Sequence, residues 1–434
     1  MSKGSFLLYT LLLYSIQFFS QSTDTEKILK PWEKGFLDIH HINTGRGNTA
    51  YCIFPDGTTL LIDAGELSPL DDRTFTKRNA TITPDSSRKP YEWIVSYIKQ
   101  VSPENNKNSI DYALITHFHD DHFGAWYPDA PVSTSGNFLR TGITGIGDVL
   151  AIGKLIDRGF PLYNYPYDIK KFANNYGGGE IEFGNTMRNY FAFINEKRQK
   201  GMRVVSLAAG SKRQIILLND TVSFPGFFVR NVKANQWIWT GKDSSVISHF
   251  PEPDMDDRKT WPDENSLSLA LTINYGSFTY YTGGDNPGNI FTGDNPLRDV
   301  GTPIARAVGK VDVATMDHHG NRDAVNEFMI KTLRPAVWIG QTWSADHPGH
   351  EVLLRIMNQH IVSGQRDLFA TNMLEANKLV IGPLIDRSYK SQQGHILVRV
   401  LPGGASYYII VLDDSRPGIM IKKTFGPYIS VANK

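Results

Sequence analysis

The sequence predicts a mixed α/β chain, and three observations carry that reading. Short apolar or alternating segments recur from Phe36 onward (FLDIHHI, AYCIF and TTLLIDAG first) at strand length, with Pro55-Asp56-Gly57 as a turn between the last two. Helical periods interrupt them: Trp93, Ile94, Tyr97 and Ile98 fall on one face of the stretch from Tyr91 to Val101. Apolar residues make up 41% and charged residues 21% of the 434, a globular balance that excludes wholesale disorder and a polytopic membrane protein.

In chain order, Lys3 precedes an apolar run from Phe6 to Phe19, and Ser20 and Ser22 sit at the spacing of a small-residue cleavage site. The run is too short to span a bilayer comfortably, which takes about 20 apolar residues. We therefore expect a signal peptide over residues 1–22. The mature chain, 23–434, is then exported, periplasmic or secreted, with no membrane span. After the first strands and the helix comes a short buried strand, Tyr112 to Ile115. Residues from about 125 to 264 differ in texture, with Gly177-Gly178-Gly179, a charged helical piece near Asn185 to Lys200, and aromatic strands at Phe227 to Val229 and Gln236 to Thr240. They read as an insertion. Strand texture returns with LSLALTI, FTYYTGG, VDVATMDHHG and AVWIG, with a helix-like Val325 to Leu333 between the last two. A C-terminal extension, about 361–434, ends in a hairpin of His395 to Val400 and Tyr407 to Leu412 around Pro402-Gly403-Gly404.

Charge and cysteine narrow the function classes. Lys+Arg total 45 against Asp+Glu 44, so the surface as a whole carries no strong nucleic-acid footprint. The single cysteine, Cys52, excludes an intrachain disulfide and a cysteine-built zinc site, and its apolar setting marks it as a small core residue. Any metal must be held by His, Asp and Glu.

The strongest chemical signal is Thr116-His117-Phe118-His119-Asp120-Asp121-His122, directly after a buried strand. A turn there lets His117 and His119 face one ion while Asp121 and His122 face a second, and imidazole with carboxylate suits zinc. So many ligand types at this spacing after an apolar strand are rarely an accident. Asp285, at the end of the strand Tyr280-Tyr281-Thr282-Gly283-Gly284, is the candidate carboxylate bridging two ions. His318 and His319, before Gly320, are again ligand-like.

Together THFHDDH, LIDAG (Leu61 to Gly65), GGD and HHG resemble the metallo-β-lactamase fold hydrolases. More narrowly they resemble the hydrolase domain of ComEC-type competence proteins. The echoes there are Asn43-Thr44-Gly45-Arg46-Gly47-Asn48, Asn265-Ser266-Leu267 and His347-Pro348. The chain departs from that pattern in Asn321 after HHG and in Asn48. The resemblance covers roughly 36–125 and 264–360. It implies a four-layer αββα sandwich with His117, His119, Asp121, His122, Asp285 and His319 as ligands. His318 is the second choice within its pair, and His347 is a residue at the edge of the site, either proton donor or ligand. Asp63 is expected to order the ligands from behind.

These residues point to a hydrolase with two ions, zinc or manganese, using a metal-activated hydroxide, with Asp121, Asp285 and His347 carrying catalysis. The expected substrate is a phosphodiester or phosphate ester, as a small molecule or an oligonucleotide. A lactone or β-lactam is the alternative, and a non-catalytic metal- or ligand-binding protein on the same scaffold is the second. Relatives with two well-held ions supply one more histidine before the Gly-Asp strand. Here Asn265 stands at that position, opening LSLALTI, and His249 is the other candidate. Trp237, Trp239 and Trp261 are candidate walls of a substrate cleft.

Overall fold

A computed structural model describes residues 27–171, 181–257, 260–288 and 296–432. The expected signal peptide over 1–22 and the expected loop Gly177-Gly178-Gly179 both fall outside the described residues. Among the described residues the strands form two sheets. The chain begins in the first sheet with β1 (Lys27–Ile28), β2 (Leu37–His41), β3 (Ala50–Ile53), β4 (Thr59–Ile62), β5 (Ser109–Leu114), β6 (Ala151–Asp157) and β7 (Arg203–Ser206). It then builds the second from β8 (Phe227–Ala234), β9 (Trp237–Trp239), β10 (Val246–Ser248), β11 (Ala270–Tyr275), β12 (Phe278–Thr282), β13 (Val313–Thr315), β14 (Val337–Gly340), β15 (Asp367–Ala370) and β16 (Tyr389–Ser391). Finally β17 (His395–Val400), β18 (Ser406–Leu412) and β19 (Met420–Ile429) return to the first sheet, β17 pairing with β2. The expected C-terminal hairpin is thus β17–β18, and β19 adds a third antiparallel strand beyond it.

Period-two alternation sends each strand's side chains to two different cores. In β2, Leu37 and Ile39 enter the core between the sheets, while His40 turns outward to bond the Tyr97 hydroxyl at 3.0 Å. In β17, Ile396, Val398 and Val400 join that inter-sheet core, and Leu397 faces the helices. Cys52 is fully buried between the sheets, as a small core residue should be.

Helices cover both outer faces. On the first sheet lie α1 (Pro90–Val101), α2 (Asp120–Phe123), α3 (Gly142–Val149) and α4 (Ile181–Gln199). On the second lie α5 (Gly301–Val308), α6 (Glu327–Leu333), α7 (His350–Met357), α8 (Glu375–Ile381) and α9 (Leu384–Ser388). Helix α1 shows why such segments fold where they do. Pro90 opens it, Glu92 accepts the Lys89 N–H at 2.8 Å, and Tyr91, Ile94, Ile98 and Val101 bury one stripe. The resulting order, helices, sheet, sheet, helices, is that of a metallo-β-lactamase-like αββα sandwich.

Residues between 125 and 264 lend strands to both sheets, β6 and β7 beside β5 and β8 to β10 beside β11. One local expectation changes. Asn265 does not open a strand: Asn265–Leu267 is a 3₁₀ turn and β11 begins at Ala270. The buried Lys233 ammonium donates to the carbonyls of Ser266 (2.8 Å) and Ser268 (2.9 Å), and Ser266 N–H bonds Asp263, so the backbone is committed to a turn.

Candidate metal centre

The histidine motif is held by the ends of two neighbouring parallel strands. Strand β5 ends at Leu114 and hands the chain to Thr116, whose N–H and hydroxyl donate to Asp63 at 2.7 and 2.8 Å. Asp63 follows β4 and also meets His122 Nδ1 at 2.8 Å, turning Nε2 of that ring inward. The early turn packs onto the next residues: Asn48 N–H donates to Asp121 O at 2.7 Å and Ala64 N–H to His122 O at 2.7 Å. A Cβ on Gly47 or Gly65 would lie 2.2 Å from the Asp121 carbonyl, so both positions require glycine for this approach.

Four buried residues then converge. Ligand atoms of Asp121, His122, Asp285 and His319 all lie within 4.8 Å of one another. His319 Nε2 is 2.8 Å from Asp121 Oδ2 and 3.4 Å from Asp285 Oδ2. His122 Nε2 stands 3.0 Å from Asp285 Oδ1 and 3.4 Å from Asp121 Oδ2, but it is aligned for a hydrogen bond to neither. Two buried polar atoms aimed at one point without a bond between them fit a shared cation.

A second group flanks the first. His117 Nε2 lies 3.1 Å from His119 Nδ1 and 3.9 Å from Asp285 Oδ2. His318 Nε2 approaches the same carboxylate oxygen at 3.9 Å and the Asn265 amide at 3.3 Å, while the buried Asn265 Oδ1 has no partner. His318 and His319 both adopt left-handed backbone, φ 49° and 55°, inside the 3₁₀ turn Asp317–Gly320. Two consecutive non-glycine residues in that region are costly, and here they bring both imidazoles of the pair to Asp285. Each ring is anchored behind, His318 Nδ1 on Asp323 (2.6 Å) and His319 Nδ1 on the Gln341 carbonyl (2.9 Å).

Electrostatics follow the geometry. Burial alone would raise Asp121 and Asp285, but the facing His122 and His319 hold both well below the usual carboxylate range. Burial alone would lower His319, but Asp285 and Asp121 push it up to about 9. The carboxylates of Asp285, Asp121 and Asp63 likewise outweigh burial at His122. His117 goes the other way, with burial and the neighbouring His122 keeping it neutral. Protons and a divalent ion therefore compete for the inward nitrogens of His122 and His319. The cluster of Asp and His could hold metal, and its oxygen and nitrogen donors suit zinc or manganese alike.

The cluster floors a cleft of about 380 Å³. His347 lines it, stacked on His319 with centroids 4.5 Å apart, its Nδ1 accepting the Ser344 N–H at 3.3 Å. Burial and the adjacent His319 keep it neutral. His249 is not brought to the cluster; it bonds the Leu297 carbonyl at 2.8 Å and packs on Phe250. The three tryptophans do not wall this cleft either. Trp237 and Trp239 lie on the short strand β9, and Trp261 stacks on Tyr167. The aromatic wall is Trp343, and two guanidinium groups, Arg73 and Arg78, stand at the cleft, paired with Asp71 and Asp346. None of these three sits in a strand-end motif, so sequence reasoning had no periodic signal by which to find them.

No family model matches the chain, and no curated protein matches it. Among solved structures, a mutant of the CmlA beta-hydroxylase aligns over 86% of this chain at 11% identity with a TM-score of 0.33. This chain spans 55% of that protein's length.

Proposed function

We propose that the protein is an exported, metal-dependent hydrolase of phosphodiesters or phosphate esters, small-molecule or oligonucleotide, that works with two ions. The observation that carries the reading is the facing pair Asp285 Oδ1 and His122 Nε2, buried and without a hydrogen bond, in a cluster at the floor of an open polar cleft. Asp121, His122, Asp285 and His319 would hold one ion. His117, His119 and His318 would hold the other, with Asp285 between the two. When bound, the ions supply Lewis acidity and lower the pKa of water.

The chain's own groups do the rest. Asp63, Asp323 and the Gln341 carbonyl fix the outer nitrogens of His122, His318 and His319 so that the inner ones face the substrate side. His347, neutral and buried beside His319, is placed to accept a proton at Nε2 and return it to a leaving oxygen. Arg73 and Arg78, each paired with a carboxylate, still offer guanidinium N–H donors at the rim to an anionic ester, and Trp343 covers one flank. The phosphate-ester preference rests on the ComEC-type resemblance, echoed in the turn from Asn43 to Asn48, in Asn265-Ser266-Leu267 and in His347-Pro348. Export rests on the composition of residues 1–22; among the described residues no helix is long and apolar enough to cross a membrane.

The test is a side-by-side turnover screen of the zinc- and manganese-loaded chain against bis(4-nitrophenyl) phosphate, a lactone and a chromogenic cephalosporin. We expect phosphodiester turnover that Asp285→Asn abolishes. Turnover of the lactone or cephalosporin alone would replace the substrate class. Two bound ions with no turnover of any ester would make the protein a binding module.

A further inference from the structure

Three segments that carry candidate ligands meet at one serine. Ser268 is fully buried and directly follows the 3₁₀ turn of Asn265. Its hydroxyl accepts the Asp285 N–H at 3.1 Å, and its carbonyl accepts the Asn286 amide at 3.3 Å. One residue on, Leu269 N–H donates to the Thr116 carbonyl at 2.9 Å, which ties the same segment to THFHDDH. The fit there is close. A Cβ on Gly284, at φ 57°, would lie 2.9 Å from Thr116 Cβ and 3.1 Å from Ser268 Cβ. The backbone course into Asp285 is therefore set at Ser268.

Behind Ser268 lies a side chain that the chemistry above does not use. Lys233 is fully buried, and its Nζ donates to the carbonyls of Ser266 at 2.8 Å and Ser268 at 2.9 Å. Arg158 and the carboxylates of Asp263, Asp317 and Glu264 act on it from farther away, and among the described residues none of these carboxylates forms an ion pair with it. Burying an amino group is costly, and two backbone carbonyls are what it gains here. The sheet register shifts where it sits: Lys233 stands opposite Ala270 and Asn231 opposite Leu271, so Val232 is an extra residue in β8. A bulge of this kind re-aims a side chain beside a site.

We propose that Lys233 is a positioning residue of the metal centre. By holding the carbonyls of Ser266 and Ser268 it fixes the hydroxyl that anchors Asp285, and with it the place of that carboxylate between His122 and His319. The inference rests on reading Asp285 as a metal ligand. Lys233 does not line the cleft and acts through Ser268.

The test uses cobalt(II), whose visible absorption reports the geometry of its ligands, titrated into the full chain against a competing chelator. Lys233→Met should weaken cobalt binding by about tenfold or more and change the spectrum of the loaded protein. Lys233→Gln, which keeps an N–H donor, should fall between Lys233→Met and wild type. Ser268→Ala should reproduce the change, and combining it with Lys233→Met should add little, because both act on the anchor of Asp285. Ile94→Ala, in the buried stripe of α1, lowers stability through the core and should leave affinity and spectrum unchanged. Wild-type affinity and spectrum in the lysine and serine variants overturn the proposal. An equal change in Ile94→Ala overturns it too, since the effect is then one of stability alone. If neither lysine variant folds, Ser268→Ala decides: a changed spectrum supports the brace and a wild-type one overturns it. A wild type that takes up no cobalt overturns the metal reading, and the brace with it.

Discussion

At the scale of single residues, Asp285 is the side chain on which the others converge. His117, His122, His318 and His319 all stand within 3.0–3.9 Å of its carboxylate oxygens. His318, the second choice of its pair in the sequence, lies beside Asp285 and Asn265, because two left-handed residues turn both imidazoles of the pair the same way. The expected outcome is unequal loss of metal. Asp285→Asn should lose both equivalents, because an amide donates less charge to either ion. His318→Asn should lose one and retain the ion of Asp121, His122 and His319. Metal content after dialysis, measured by elemental analysis, checks this. Two retained equivalents in His318→Asn would assign the second ion to Asn265 and the His117/His119 pair alone.

At the scale of elements, the loop of His117 and His119 depends on a clamp between distant segments. Arg158, just past β6, forks onto Glu264 with bonds of 2.7 and 2.6 Å, and Glu264 accepts the Phe118 N–H at 2.8 Å. The guanidinium also lies 4.6 Å from the Phe118 ring. The clamp ties the His117/His119 loop to the turn that begins at Asn265. Arg158 is 1% exposed in its side chain and Glu264 14%, so removing one partner strands a buried charge. Arg158→Met should cost about 3–5 kcal/mol in urea unfolding, and adding Glu264→Gln should return part of that loss. A cost below about 1 kcal/mol would show that the pair is solvated like a surface ion pair. The residues from about 125 to 264 thus reach the site through one arginine at their near end and one glutamate at their far end.

At the scale of the whole molecule, stability should depend on a carboxyl far from any counter-charge strong enough to ionise it early. Glu66 is 3% exposed and accepts the Gly142 N–H at 3.0 Å where α3 begins. Burial pushes its pKa from 4.5 to about 7, only partly offset by that bond and by Lys89. The folded chain therefore holds this proton more tightly than the unfolded one. The contribution is fully present below about pH 4.5, falls as pH rises and is gone above about pH 7, a change on the order of 3 kcal/mol. Glu66→Gln keeps the acceptor oxygen and cannot ionise. Against it, the wild-type thermal midpoint should decline between pH 4.5 and 7 and run parallel above. A constant difference across that window would show that Glu66 is solvated in the folded state.

What the sequence by itself determined was chemistry carried at strand ends. A buried strand leads the chain inward, and the next few residues are confined near its mouth. The runs THFHDDH, GGD and HHG therefore announced Asp121, His122, Asp285 and His319, and LIDAG announced Asp63 behind them. Local period-two patterning likewise marked the strands that the two sheets share. Tertiary structure alone decided what depends on distant segments meeting. It turned His318 as well as His319 toward Asp285, since a left-handed turn overrides the alternation expected of neighbours. It left His249 on the Leu297 carbonyl, put Asn265 in a turn pinned by Lys233, and replaced the expected tryptophans with Trp343. It also brought Arg73 and Arg78 to the cleft on a loop whose position comes from hydrogen bonds to residues more than two hundred positions away. Such contacts leave no periodic trace, because a loop's place is set by what it packs against and not by its own spacing.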